Sequence, residues 1–372
     1  MNKAMARLAV FYVLTCFMCG CGHVVRAIEA QFDTPGHHVK NGMRLLERGK
    51  IDAAFQDFIL AEEIAPSYSC AYIGLGLVWA YREDFNQALS HIELSIKYAK
   101  SVEDKVDAHI GYIRLYTLGK SAISGEWLEK AKGEFKNALA LDPLSFNANF
   151  YMGLAYKEAL EFDYAVNLMR KAVELDEANI SNAREELIVL QKIQRGMPET
   201  AIGKRIAIAD KITRGDVAAI FIYELKLEAL LYGKDSHKLA AGNLQSADDV
   251  ADHVFSKEIN TLIGLGIHGI EPYPDCTFRP KNIITRAEYA VMLESILVKV
   301  TGDKGLATRF IGRPSPFIEI GNDMPFFNAV MVCVSRGILQ VDGSTGEFNP
   351  LATVSGSDAL LAVRAVKSQI GR

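Results

Sequence analysis

The sequence predicts an all-α protein in two parts: a helical solenoid, then a mainly helical module of three repeats. Two sets of spacings carry this reading. In the first half small residues recur at 34 residues, as Gly42 and Gly76, Ala54 and Ala88, Gly119 and Gly153, and Ala131 and Ala165. In the second half Gly196, Gly266 and Gly337 recur at intervals of 70 and 71 residues. Each is followed 17 to 19 residues later by a hydroxyl residue suited to open a helix, Thr213, Thr285 or Ser355.

The chain has 372 residues, enough for more than one hydrophobic core. Its hydrophobic content of 49% and charged content of 23% are ordinary for globular proteins. A net charge of −4 argues against a nucleic-acid partner, which calls for a basic excess. Lys3 and Arg7 precede an apolar stretch, Leu8 to Met18, too short to span a bilayer and suited to a signal peptide. Met18-Cys19-Gly20-Cys21 resembles the bacterial lipobox. That resemblance implies cleavage before Cys21 and a lipid on its thiol. Gly22 in place of Asp implies the outer membrane of a double-membraned bacterium. Residues 1–20 are thus expected to be a signal and 21–34 a linker. Of the other cysteines, Cys70, Cys276 and Cys333 form no CxxC pair or metal-ligand spacing, and nothing in the sequence argues for a Cys276–Cys333 bridge.

The first domain is expected over 35–177. Its units carry Gly42, Ala54, Phe58, Ala61 and Pro66, then Tyr72, Leu75, Gly76, Trp79 and Ala88. Two more carry Ala131, Phe135, Ala138 and Pro143, then Gly153, Tyr156, Ala165, Met169 and Ala172. Small residues let paired helices approach, aromatics fill the gaps, and Pro66 and Pro143 end helices. The pattern resembles the tetratricopeptide repeat. Ala88 and Ala131 are 43 residues apart, nine more than one period. The surplus predicts a longer helix near 104–118 and a loop from Lys120 to Gly125. The resemblance implies that Val39, Met43, Cys70, Ile73, Leu77, Phe150, Leu154 and Lys157 line the concave face. Such a surface, mostly apolar, suits a partner's amphipathic helix or extended segment, or is covered by inter-repeat packing or by the chain's own next helix.

The second domain is expected over 178–372. Tyr273-Pro274-Asp275-Cys276-Thr277-Phe278-Arg279-Pro280, followed by Ile284-Thr285-Arg286-Ala287-Glu288, is similar to the S-layer homology repeat. Asp249-Val250 stands at its opening and Gly266-Ile267-His268-Gly269 at its turn. Ile212-Thr213-Arg214-Gly215-Asp216 and Val354-Ser355-Gly356-Ser357-Asp358 are a second and third copy of the last motif. Thr285 and Glu288 are spaced as a capping box, so a helix starts there. The cation Arg286 is disfavoured by the macrodipole at a helix start, so structure alone does not ask for it. The resemblance implies a pseudo-threefold module with ligand grooves between repeats, in which Arg214 and Arg286 contact an anionic cell-wall glycan. The family's Trp after the opening motif is missing, with Val254 or Phe255 in its place. Cys276 replaces a Gly and Gly356 replaces the third Arg.

No nucleotide-binding, hydrolase or metal motif occurs in a usable context, so no enzyme activity and no cofactor is expected. His37-His38 follows the turn-forming Pro35-Gly36, which predicts a solvated loop. The expected function is a non-catalytic envelope adaptor on the outer membrane facing the periplasm. A lipid ties it to the membrane, the module holds a polysaccharide and the solenoid binds a protein. The alternatives are an assembly or secretion factor whose module serves protein contacts or dimerisation, and an accessory subunit of a glycan-handling complex.

Overall fold

A computed structural model describes residues 33–175, 180–233 and 247–370. The signal segment, Cys21, most of the linker and the 177/178 boundary lie outside the described residues. Among the described residues all regular elements are helical, and no helix is long and apolar enough to cross a membrane.

Four helical hairpins come first: α1 (Pro35–Glu47) with α2 (Ile51–Ile64), α3 (Ser69–Tyr81) with α4 (Phe85–Tyr98), α5 (Val102–Gly119) with α6 (Trp127–Leu141), and α7 (Phe146–Glu158) with α8 (Phe162–Leu175). Glycines set how closely the helices approach. The fully buried ring of Phe58 is wedged between Gly42 and Gly74, where an added Cβ would come within 2.6 and 2.3 Å of it. Gly76 plays the same part against Ile92, and Gly153 against Met169. Ala54, Ala88, Ala131 and Ala165 are all fully buried.

The surplus residues fall where expected: α5 has 18 residues and is followed by a 3-10 turn, Lys120–Ala122. The match of Gly119 with Gly153 is not structural. Gly119 ends α5 and lies against Ile123 of the turn and Phe85 of α4, whereas Gly153 sits inside α7. Gly111, which lies against Ile73 and Ile92, makes the close approach in this unit.

The histidine pair is helical, not a loop. Pro35 occupies the first helical position of α1, where its missing N–H costs nothing, and the Thr34 hydroxyl accepts from the His37 N–H. His38 bridges Asp33 (2.8 Å) and Asp57 (3.0 Å). Burial pulls its pKa down, but the two carboxylates outweigh it and the net shift is upward.

The remaining described helices form the module. α9 (Ile180–Gly196) packs on α8 on one side and on α16 (Gly356–Ile370) on the other. Phe162, Met169 and Ala172 of α8 therefore share one core with Leu190, Ile193, Leu360 and Val363. The ion pairs Lys157–Glu186 (2.6 Å) and Lys192–Asp358 (2.8 Å) flank this contact. Next come α10 (Ala201–Ala207), α11 (Arg214–Ala219, running on through a π turn at Ile220–Glu224), α12 (Leu227–Tyr232), α13 (Ser256–Leu265), α14 (Arg286–Thr301) and α15 (Phe327–Ser335). The three repeats meet where their helix-opening segments touch. Ile212 N donates to Val354 O (2.9 Å) and Ile284 N to Ile212 O (3.1 Å). Short antiparallel bridges join Thr213 to Ile283 and Thr285 to Thr353, and Ile212, Ile284 and Val354 are buried. This is the pseudo-threefold plan.

Replacing Phe58 with Ala should cost about 3–5 kcal/mol, because the ring fills space that both glycines leave open; urea unfolding measures it, and a cost below about 1 kcal/mol would contradict the wedge. For His38, whose folded pKa is raised above its ordinary 6.5, the stabilisation is complete below that value and is lost as pH rises through the higher folded value. A His38→Asn variant should therefore lack the fall in melting temperature that the parent shows across this window.

Candidate functional site: the grooves between repeats

Each helix-opening segment builds its own cap. Thr213 with Asp216 and Thr285 with Glu288 form complete capping boxes, and the Ser355 hydroxyl accepts from Asp358 N while donating to its carboxylate. The first two segments then bond to the loop of the following repeat. Arg214 N donates to Asn282 O and Gly215 N to Pro280 O; Arg286 N donates to Ala352 O and Ala287 N to Pro350 O. The same frame is built twice.

The arginine side chains belong to that frame. Arg214 Nε donates to Phe278 O and Nη2 to Glu271 O, both at 2.8 Å, with the guanidinium over the Tyr273 and Phe278 rings. Arg286 repeats this on Phe348 O (2.8 Å) and Gln340 O (2.5 Å), over the Phe348 ring. Arg214 is only 4% exposed, and burial lowers the pKa of both groups. The expectation that structure makes no demand on the Arg286 cation is thus corrected, and Arg214 is held in the same way. Two carbonyls of the neighbouring repeat hold each one, and this outweighs an unfavourable macrodipole of about 0.3–1 kcal/mol.

An acid at the opening of the second and third repeats holds the same loop from the other side. Asp249 accepts from Phe278 N (2.6 Å) with one oxygen and Arg279 N (2.7 Å) with the other. Glu319 takes Phe348 N and Asn349 N on a single oxygen and leaves Oε2 buried without a partner. The loop needs left-handed backbone at Arg279 and Asn349, and at Cys276 where the third repeat has Gly346. Cys276 is exposed and Cys333 buried, and both thiols are free.

Two grooves lie beside these frames. Groove A, about 410 Å3, is lined by Asp249, Asp252, His253, Arg279, Pro280, Lys281 and Asn282. The missing Trp is resolved here: Val254 is 80% exposed, Phe255 packs on the core, and the His253 ring lies against Gly215. Groove B, about 900 Å3, lies between the start of α14 and the segment leading into α15. Its walls include Glu288, Val291, Glu294, Met324, Phe327 and Leu351. Neither Arg214 nor Arg286 lines the groove beside it. Sequence reasoning missed the lining residues. The available signal was Leu351, an apolar residue immediately after the Pro350 that ends the loop motif, which the structure leaves 79% exposed.

The third interface is closed. Where the other repeats have the arginine, Gly356 donates its N–H to Ala209 O (2.8 Å), and a Cβ there would stand 1.7 Å from Ile206 O at the end of α10. The buried carboxylate of Glu224 pins α10 in place by accepting from Glu199 N, Thr200 N and the Thr200 hydroxyl at 2.7–3.0 Å.

The expected solenoid surface is largely occupied. Ile73 and Leu77 are buried, Ile73 against Gly111 of α5, so they offer no partner contact. Cys70 is half-buried, its pKa pushed up to about 11 chiefly by burial. Val39 and Met43 pack on the first core, and Phe150 and Leu154 on the core that continues into the module. Lys157 is paired with Glu186 of α9, so the chain's own next helix covers this end. The space left open is a cavity of about 770 Å3 with a polar rim that includes Lys40, Asn41, Arg44, Asn147 and Asn182, with Met43 and Phe150 also in its wall.

Arg214→Ala and Arg286→Ala should each destabilise the fold by about 2–4 kcal/mol, and Lys should not rescue either, since one ammonium cannot reproduce the planar fork to two carbonyls. Thermal unfolding checks this; a neutral Arg214→Ala would remove the framing role.

Residues 248–290 match the family model of the S-layer homology domain. Among the curated proteins, none matches the chain. The matched stretch runs from the opening acid Asp249 through α13 and the Arg279 loop to the first turns of α14, and so contains the loop that Arg214 holds and the arginine, Arg286, that holds the next one. An S-layer homology domain in the chain points to the cell surface or envelope, and to a surface or cell-wall polymer as the ligand class.

Proposed function

We propose that the protein is a non-catalytic adaptor of the bacterial envelope that binds a cell-wall or surface polysaccharide through the two open grooves between its repeats. The observation that carries this reading is the duplicated frame. Two grooves of like construction stand beside two arginine-held loops, while the third interface lacks the arginine and is filled by α10. In this reading Arg214 and Arg286 hold the groove walls in place, and a polymer meets the lining side chains.

The first four hairpins serve as a tetratricopeptide-type solenoid, with the polar-rimmed cavity near Lys40 and Asn147 as the place for a protein partner. A lipid on Cys21 tethers the chain to the outer membrane on its periplasmic side. The shared core of α8, α9 and α16 supports a rigid link between solenoid and module, which suits holding a partner at a fixed place on the wall.

The test is co-sedimentation of the chain lacking its first twenty-one residues with purified sacculi that retain their attached polymer. The parent should pellet. Lys281→Glu in groove A combined with Leu351→Asp in groove B should abolish pelleting without changing the melting temperature, since both side chains are exposed. A parent that stays in the supernatant refutes polymer binding, and an unaffected double variant refutes the grooves as its site.

A further inference from the structure

The two open grooves have the same frame and opposite chemistry. Groove A presents Lys281 on its rim, together with Arg279, whose guanidinium is paired with Asp275 at 2.7 Å. One of its two acids, Asp249, is already engaged by two backbone N–H groups. Groove B has Glu288, Glu294 and Asp323 in its wall and no Lys or Arg; His268, its one basic side chain, is paired with Glu271 at 2.7 Å. The guanidinium of Arg286, at the start of the same helix, is turned onto the Phe348 and Gln340 carbonyls and does not face the groove.

Groove B also has an apolar lining that the fold does not bury. Ile311 is 65%, Met324 44% and Leu351 79% exposed, and all three line it beside Val291 and Phe327. Glu294 stands within this setting. One of its oxygens accepts from Asn328 Nδ2, and burial raises its pKa. A half-buried carboxylate beside apolar surface is costly to keep ionised alone and is relieved by a cation that docks against it. Apolar walls with a few convergent acceptors fit a ring that has one hydrocarbon face and one charged or hydrogen-bonding edge.

We propose that groove B binds a sugar unit carrying a free, protonated amine, with the ammonium directed to Glu294 and Asp323 and the apolar face of the ring on Met324 and Leu351. This rests on the reading of the module as a polysaccharide binder and names the ligand class of one of its grooves. Charge complementarity decides the occupant: an anionic sugar would meet three carboxylates and no Lys or Arg, whereas groove A supplies the exposed Lys281 for that role.

The experiment is isothermal titration of the chain lacking its first twenty-one residues with a β-1,4-linked glucosamine oligomer and with its fully N-acetylated counterpart, run beside the sacculus assay. The free-amine oligomer should bind at least about tenfold more tightly than the acetylated one, the discrimination expected of one charge-assisted hydrogen bond. Glu294→Gln, which keeps an acceptor for Asn328, and the exposed Asp323→Asn should each remove most of that preference; the second variant keeps the test valid if the first unfolds. Equal or tighter binding of the acetylated oligomer, or a preference untouched by both variants, overturns the inference and leaves polymer binding standing. Pelleting with sacculi but no binding of either oligomer also overturns it, and failure to pellet removes the underlying reading as well.

Discussion

The module depends on main-chain hydrogen bonds between the segments that open its helices. Ile212 is bonded to both Val354 and Ile284, so segments from all three repeats are fixed at one buried junction. Each segment also starts a helix, and the cap and the inter-repeat contact draw on the same few residues. Thr285 serves its own capping box while bridging to Thr353. Unpaired backbone groups at such a junction would be costly in the interior, so the geometry of each repeat constrains the next.

Grooves follow from this arrangement. A helix start and a neighbouring loop, held at fixed distance by two backbone bonds and an arginine fork, leave space on the outer side of the contact. The frame is made of backbone carbonyls and N–H groups, which do not depend on the side chains lining the space. The lining can therefore diverge while the frame stays constant. Groove A is lined by charged and polar residues of both signs; groove B combines apolar residues with acids. The same logic explains the closed interface, where a short helix pinned by Glu224 replaces the loop and Gly356 admits its carbonyl.

The solenoid obeys a simpler rule. Its hairpins are brought together by a large side chain set on a glycine, as Phe58 is on Gly42 and Gly74. Helices this close bury the face that an open superhelix would present, which is why Ile73 and Leu77 are interior. The core then runs without a break from α8 through α9 into the module, so the passage from hairpins to module is not a gap in packing.

Local signals were legible in the sequence because they act over one or two turns. The capping pairs, the glycines that end α9, α13 and α15, the long α5 and the all-α class follow from residue types at short spacing. The His37-His38 pair was misread because Pro35 both makes turns and starts helices, and only Thr34 as a cap separates the two. What the sequence by itself determined was where helices start and stop and how often units recur. The tertiary structure alone decided which face of each unit is covered and what the arginines do. The partners of Arg214 lie 57 and 64 residues away, on carbonyls that carry no residue-type signal, so their position could come only from the packing of one repeat on the next.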